Sequence, residues 1–151
     1  MRAFLWVILF LAVCGCKSGP GAMELAGSWR QEVPKGQKVI TELIFTSEGR
    51  FRTYTGAIGE ARRIAVFGKY KYDDKTGRLE SEPHDAFFEG WPASQQESMK
   101  KKMLKQLLSP DAGTVEWIDK NKFRWIPDKP KDPKKKPDPP ITYTRSQPIK
   151  E

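Results

Sequence analysis

Between residues 64 and 72 every second position, Ile64, Val66, Gly68, Tyr70 and Tyr72, is apolar, aromatic or glycine, and Lys69 and Lys71 lie between them. A period of two marks a strand with one face buried and one solvated, whereas a helix repeats its buried stripe every three to four residues. The same alternation runs through 39–46, with Val39, Thr41, Leu43 and Phe45 on one face and Ile40, Glu42, Ile44 and Thr46 on the other. Ser47-Glu48-Gly49 separates that strand from 51–55, and Asp73 to Gly77 turns the chain into 78–82, where Pro83 is expected to end the strand. Segments 29–33, 114–118, 122–126 and 141–146 complete eight expected strands, an all-β pattern with closely spaced turn signals. The Lys120-Asn121 turn leaves one register open. A two-residue loop puts Trp117 and Trp125 on opposite faces, and a three-residue loop puts them together.

One helix interrupts the strands. Ser94-x-x-Glu97 fits a capping box, Met99, Met103, Leu104, Leu107 and Leu108 fall at helical spacing, and Pro110 closes the segment, giving a helix over about 94–108. Phe87, Phe88 and Trp91 stand just ahead of it, in what is expected to be a loop. With Met99 and Met103 they are candidates for a lid over one mouth of the strand assembly, although packing of the helix on the strands accounts for the same residues. Residues 127–140 contain six prolines in fourteen positions and no aliphatic or aromatic side chain, so a disordered or polyproline-like loop is expected there. Lys129, Lys131, Lys134, Lys135 and Lys136 make this loop a candidate contact for an anionic surface, diluted by Asp128, Asp132 and Asp138. A solvated loop is the plainer reading.

The first sixteen residues, MRAFLWVILFLAVCGC, place one basic residue before eleven apolar ones. Eleven are too few for a spanning helix, which needs about 20, and the layout fits an export signal ending in small residues. Val13-Cys14-Gly15-Cys16 resembles the lipobox of bacterial lipoproteins. The resemblance implies a signal peptide over 1–15, cleavage before Cys16, a diacylglyceryl thioether on its sulfur and an amino terminus acylated by a fatty acid such as palmitate. A plain secretory signal with a free or disulfide-bonded cysteine is the other reading. Multiple acylation would make a durable membrane anchor. Lys17, in place of the Asp often found in inner-membrane lipoproteins, points to the outer membrane, facing the periplasm, in a cell that has one. Residues 16–24 then form a lipidated tether, 25–146 a single domain and 147–151 a tail.

The formal charge of +8 falls to +7 once Arg2 leaves with the signal. In an exported protein this charge would meet anionic headgroups, lipopolysaccharide phosphates or acidic wall polymers rather than nucleic acid, and a soluble, self-repelling surface is the plainer reading. With Cys14 removed and Cys16 lipidated, no thiol remains for a disulfide, so packing must hold the domain together.

Leu25-Ala26-Gly27-Ser28-Trp29 resembles the Gly-x-Trp opening of lipocalins and lipocalin-like bacterial domains. Phe45-x-x-x-Gly49-x-Phe51, Gly68-x-Tyr70 and Tyr143-x-Arg145 are similar to further signatures of that group. The resemblance covers about 25–146 and implies an eight-stranded antiparallel up-and-down barrel, either filled by side chains or holding one small ligand. It also implies that Trp29 and Arg145 close one end through a cation–π contact. The helix stands after the fifth strand, whereas lipocalins carry theirs after the barrel.

Catalytic signatures are sparse. His84, the only histidine, precedes Asp85 and supplies neither a triad nor a metal set. Glu80 and Glu82 fall on one face of an expected strand, where alternation puts exposed charge just as readily. No phosphate loop, Gly-x-Ser-x-Gly or His-Glu-x-x-His occurs. The sequence is therefore read as a monomeric, non-enzymatic envelope protein without a cofactor or metal. Its domain binds an apolar small molecule or envelope component, or else is a filled barrel that docks a protein partner; an envelope enzyme or an inhibitor of one is the reading the residue inventory disfavours.

Overall fold

A computed structural model describes residues 24–147. The expected signal segment, Cys16 with the tether up to residue 23, and residues 148–151 of the tail lie outside the described residues. The elements are β1 (Gly27–Gln31), β2 (Val39–Phe45), β3 (Arg50–Ala57), β4 (Arg63–Asp73), β5 (Arg78–Glu89), α1 (Ala93–Leu107), β6 (Asp111–Asp119), β7 (Lys122–Pro127) and β8 (Ile141–Ser146). Each strand pairs antiparallel with the next, and β1 pairs with β8, so the ladder runs around a closed ring.

The register follows from the alternation. Leu43 stands opposite Trp29 on one side and Thr53 on the other, Thr53 opposite Val66, and Val66 opposite Ala86, so one face of every strand turns inward together. The inner face gathers Trp29, Phe45, Phe51, Val66, Leu79, Val115, Phe123 and Tyr143 into one core. Burying a side chain of this size contributes about 1.5 to 3 kcal/mol against the ordering of the chain.

Because the strands alternate in direction, the ring has two distinct ends. At the entry end β1 begins, β8 finishes, and the β2–β3, β4–β5 and β6–β7 turns are made. The far end carries the β1–β2 and β3–β4 connections, α1 and the β7–β8 loop.

Pro83 does not end β5. The strand continues to Glu89, and its pairing with β4 shifts register at Phe67/Gly68, where Gly68 faces Pro83. The β5–β6 ladder stops at Ser81 opposite Asp111, so beyond Ser81 no β6 ladder needs the amide that proline lacks. Gly68 is required at this bulge, because a Cβ there would come within 2.5 Å of the Glu82 carbonyl oxygen and strike the Phe51 ring. The first strand also lies two residues earlier than expected, leaving Glu32 and Val33 in the connection, and Pro127 closes β7 rather than opening the loop.

The helix begins at Ala93 with Pro92 as its N-cap and no side-chain cap bond, so Ser94-x-x-Glu97 does not act as a capping box. The Pro92 carbonyl instead accepts the Gln95 and Gln96 amides at 2.8 and 3.2 Å. No helical residue is fully buried. Leu104, Leu107 and Leu108 lean on the core, and α1 packs against β5, the strand whose outer half lacks a β6 partner.

The open register resolves in favour of one shared face. Val115 faces Trp125 and Trp117 faces Phe123, because a bulge between Trp117 and Asp119 adds the residue that a two-residue loop lacks. The bulged Ile118 is exposed.

Candidate functional site

Aromatic side chains fill the entry end. Trp29, fully buried, meets Phe123 at 4.7 Å and Trp117 at 5.7 Å between ring centroids, both edge-on, and Phe123 stacks on Tyr143 at 5.3 Å. The Trp29 indole donates to the Leu25 carbonyl at 2.8 Å, and Trp117 donates to the Tyr72 hydroxyl at 2.9 Å. Trp29 and Arg145 are direct cross-strand partners, with the guanidinium carbon 4.2 Å from the Trp29 ring centroid. The Arg145 guanidinium also donates to the carbonyls of Ala26 at 3.1 Å and Glu24 at 2.8 Å. Gly27 permits this approach. Its φ is +134°, and a Cβ there would lie 2.5 Å from Arg145 Nη1.

Behind these aromatics the interior holds a cavity of about 240 Å3, bordered by Phe123 and Tyr143 on one side. Leu43, Phe45, Phe51, Leu79, Trp125 and Ile141 form its apolar wall. Thr41, Thr53, Ser81 and Asp111 supply polar groups, and Asp111, at the start of β6, is exposed toward the far end. The Thr41 hydroxyl is engaged with that of Thr55 at 3.1 Å, and the Ser81 hydroxyl donates to the Asp111 carbonyl at 3.3 Å.

Desolvation raises the Asp111 carboxyl above the usual range; the Ala112 amide opposes the shift, and the carboxylates of Asp128 and Asp138 reinforce it. Burial pushes the Tyr143 phenol up to about 12, with the Asp111 charge adding to the effect. The Tyr143 shift reflects a low-polarity interior, and the partly desolvated Asp111 carboxyl stands at its far-end margin.

The expected lid residues do not assemble. Phe87 and Phe88 lie on β5 rather than in a loop, and alternation sends them to opposite faces. Phe88 is 2% exposed, whereas Phe87 is 47% exposed on the outer face with its ring edge-on to Phe67 at 5.4 Å. Trp91 sits in the turn before α1, half-buried under the Arg62 guanidinium at 5.4 Å. Met99 and Met103 are half-buried on the helix. None of these five side chains lines the interior cavity.

A second hollow was not anticipated from the sequence. It is an open groove of about 940 Å3 on the outer face, where Arg50, Arg52, Lys69 and His84 surround Ile44 and Phe67, with Glu48 at the rim. The Arg52 guanidinium lies 4.7 Å over the Phe67 ring and donates to the Tyr54 hydroxyl at 2.9 Å. The sequence signal was present in the outward positions of β3 and β4, but the groove needs the bulge at Phe67/Gly68 to bring His84 beside them.

Other candidates disperse. Glu80 and Glu82 stand opposite Lys71 and Lys69 across β4–β5, an arrangement of cross-strand opposite charges rather than a paired-carboxylate site. Lys129, Lys131, Lys134, Lys135 and Lys136 are exposed in the β7–β8 loop at the far end. That loop is pinned where Arg78 meets Asp128 at 2.6 Å, and it turns where Asp132 accepts the amides of Lys134 and Lys135, each at 3.0 Å. Among the described residues no group of three or more His, Cys, Asp or Glu is placed to hold a metal ion, and no helix is long and apolar enough to cross a membrane. No protein-family model matches this chain, and no curated protein matches it either.

Proposed function

We propose that this chain is a lipid-anchored protein of the cell envelope, moored through Cys16. In this reading the ring is a lipocalin-like, non-enzymatic binding module for a small apolar molecule with one polar end. The interior cavity carries the reading: about 240 Å3 bordered by apolar side chains from five strands, with Asp111, Ser81 and two threonines completing its border. Its volume lies just below the roughly 300 to 1,000 Å3 of pockets for drug-sized ligands, so the occupant is correspondingly small. The Gly27-x-Trp29 opening and the Trp29–Arg145 contact support the lipocalin-like assignment.

Titration with an apolar fluorescent probe tests the binding role. Saturable binding is expected. Thr53→Leu, which puts extra methyl groups into the cavity, is expected to abolish it without loss of folding, and Trp91→Ala is expected to retain it because Trp91 is not on the wall. An absence of saturable binding in the wild type would favour a filled ring that docks a protein. The outward Phe67–Phe87 pair is the observation behind that second reading. Anchoring is tested by labelling with a fatty-acid analogue, and incorporation that survives Cys16→Ala would refute it.

A further inference from the structure

We propose that the outer groove around Arg50 and Lys69 seats the phosphate-bearing headgroups of an anionic membrane. The proposal builds on the lipid-anchored reading and adds to it the face of the ring that meets the bilayer.

Several strand cations on the outer face are held by a carboxylate. Arg30 pairs with Glu42 at 2.5 Å, Lys122 with Glu32 at 2.7 Å, Arg124 with Glu116 at 3.8 Å, and Arg63 with Glu89. Arg50 and Lys69 are built differently. They stand directly opposite each other across β3–β4, and among the described residues neither makes an ion pair. Glu82 faces Lys69 on the next strand without reaching ion-pair distance, and Glu48 contributes one carboxylate to the rim. Like charges placed directly across a ladder are destabilising. A cost of that kind, retained beside a third cation held on an aromatic ring, fits a site whose counter-charge arrives from outside.

Position selects the source of that charge. The crevice beside the β2–β3 turn is lined by Glu24, Leu25 and Ala26 together with Ser47 and Gly49, so the described chain enters next to the turn that leads into Arg50. From Cys16 to Glu24 an extended chain reaches no further than roughly 30 Å. A ring moored at Cys16 therefore keeps its entry end close to the bilayer, while the lysines of the β7–β8 loop stand at the far end. Proximity and charge together make an anionic lipid headgroup the occupant of the groove.

The test uses the full lipidated chain in phosphatidylcholine vesicles with and without phosphatidylglycerol, following the acylation rate of each lysine with a water-soluble reagent by mass spectrometry. Lys69 should be acylated about fivefold more slowly when phosphatidylglycerol is present, the effect of about 1 kcal/mol per basic residue at an anionic surface. High salt and Arg50→Glu should each remove the difference, while Lys134, Lys135 and Lys136 should react equally in both vesicles. Unchanged Lys69 labelling, or protection of the β7–β8 loop instead, would overturn the proposal. Equal protection of Lys69 by glycerol phosphate in solution would overturn the membrane assignment. If the chain fails to float with phosphatidylcholine vesicles, the anchoring reading has failed. The groove is then judged by whether added phosphatidylglycerol vesicles protect Lys69, and no protection there overturns it.

Discussion

Replacing Arg145 by alanine removes three interactions that converge on the entry end. The cation–π contact with a fully buried tryptophan, at 4.2 Å, contributes about 1 to 2 kcal/mol. The two hydrogen bonds to the Ala26 and Glu24 carbonyls come from a guanidinium that is only half-buried, so each adds about 0.5 to 1 kcal/mol. The sum is a loss of about 3 kcal/mol. For a domain of this size that lowers the melting temperature by roughly 10 °C. Thermal melts followed by tryptophan fluorescence, with urea unfolding at an unchanged slope, measure it. Arg145→Lys keeps a charge near the ring but cannot fork to both carbonyls, so an intermediate loss is expected. Arg145→Met keeps much of the bulk and should fall nearly as far as alanine.

Gly27 supplies an independent check on the same contact. A Cβ at Gly27 would sit 2.5 Å from Nη1 and push the guanidinium off the indole. Gly27→Ala should therefore cost less in the Arg145→Ala background than in the wild type, with a coupling of about 1 kcal/mol. A melting temperature for Arg145→Ala within about 2 °C of the wild type, or strict additivity of the two substitutions, would refute the reasoning.

Gly68→Ala forces a Cβ against the Glu82 carbonyl and the Phe51 ring, and urea unfolding should show a loss of about 2 to 3 kcal/mol; a neutral effect would mean that the bulge relaxes freely. Tyr143, pushed up to about 12 in the folded state from an ordinary value of 10, holds its proton more tightly when folded, so its contribution is intact below pH 10 and is lost as pH rises from 10 toward 12. Stability measured across that window should fall by about 2 to 3 kcal/mol more in the wild type than in Tyr143→Phe. Asp111 has its carboxyl raised by desolvation, so its ionised form opposes folding above that raised value; Asp111→Asn should raise the melting temperature at neutral pH and leave it nearly unchanged in strong acid. A lower melting temperature at neutral pH would show that the carboxylate is needed for packing.

The strand pattern was legible wherever one face is buried and the other solvated. Residues 39–46 and 64–72 alternate cleanly, and their inward sets match the register found. The second half of β5 was hidden because its continuation depends on a partner strand. Pro83 reads as a stop in isolation and becomes tolerable only because the β6 ladder ends at Ser81. The same misreading placed Phe87 and Phe88 together in a loop, when strand alternation divides them. Trp117 and Trp125 share a face through a bulge at Ile118 that loop length alone could not reveal. The cavity was implied only as a possibility of ring size, since whether eight strands enclose space depends on how Phe123, Tyr143 and Trp125 tilt against one another.

Seven of the strand pairings join sequence neighbours, and the eighth zips β1 to β8. A nascent or translocating polypeptide can fold its hairpins one after another, yet its first strand stays unpaired on one side until the last has been delivered. Completion thus waits for β8, and Trp29 does not receive Arg145 until that final zipper shuts. Such delayed completion would accommodate the proposed export, in which the chain is threaded through a membrane before it assumes its final shape.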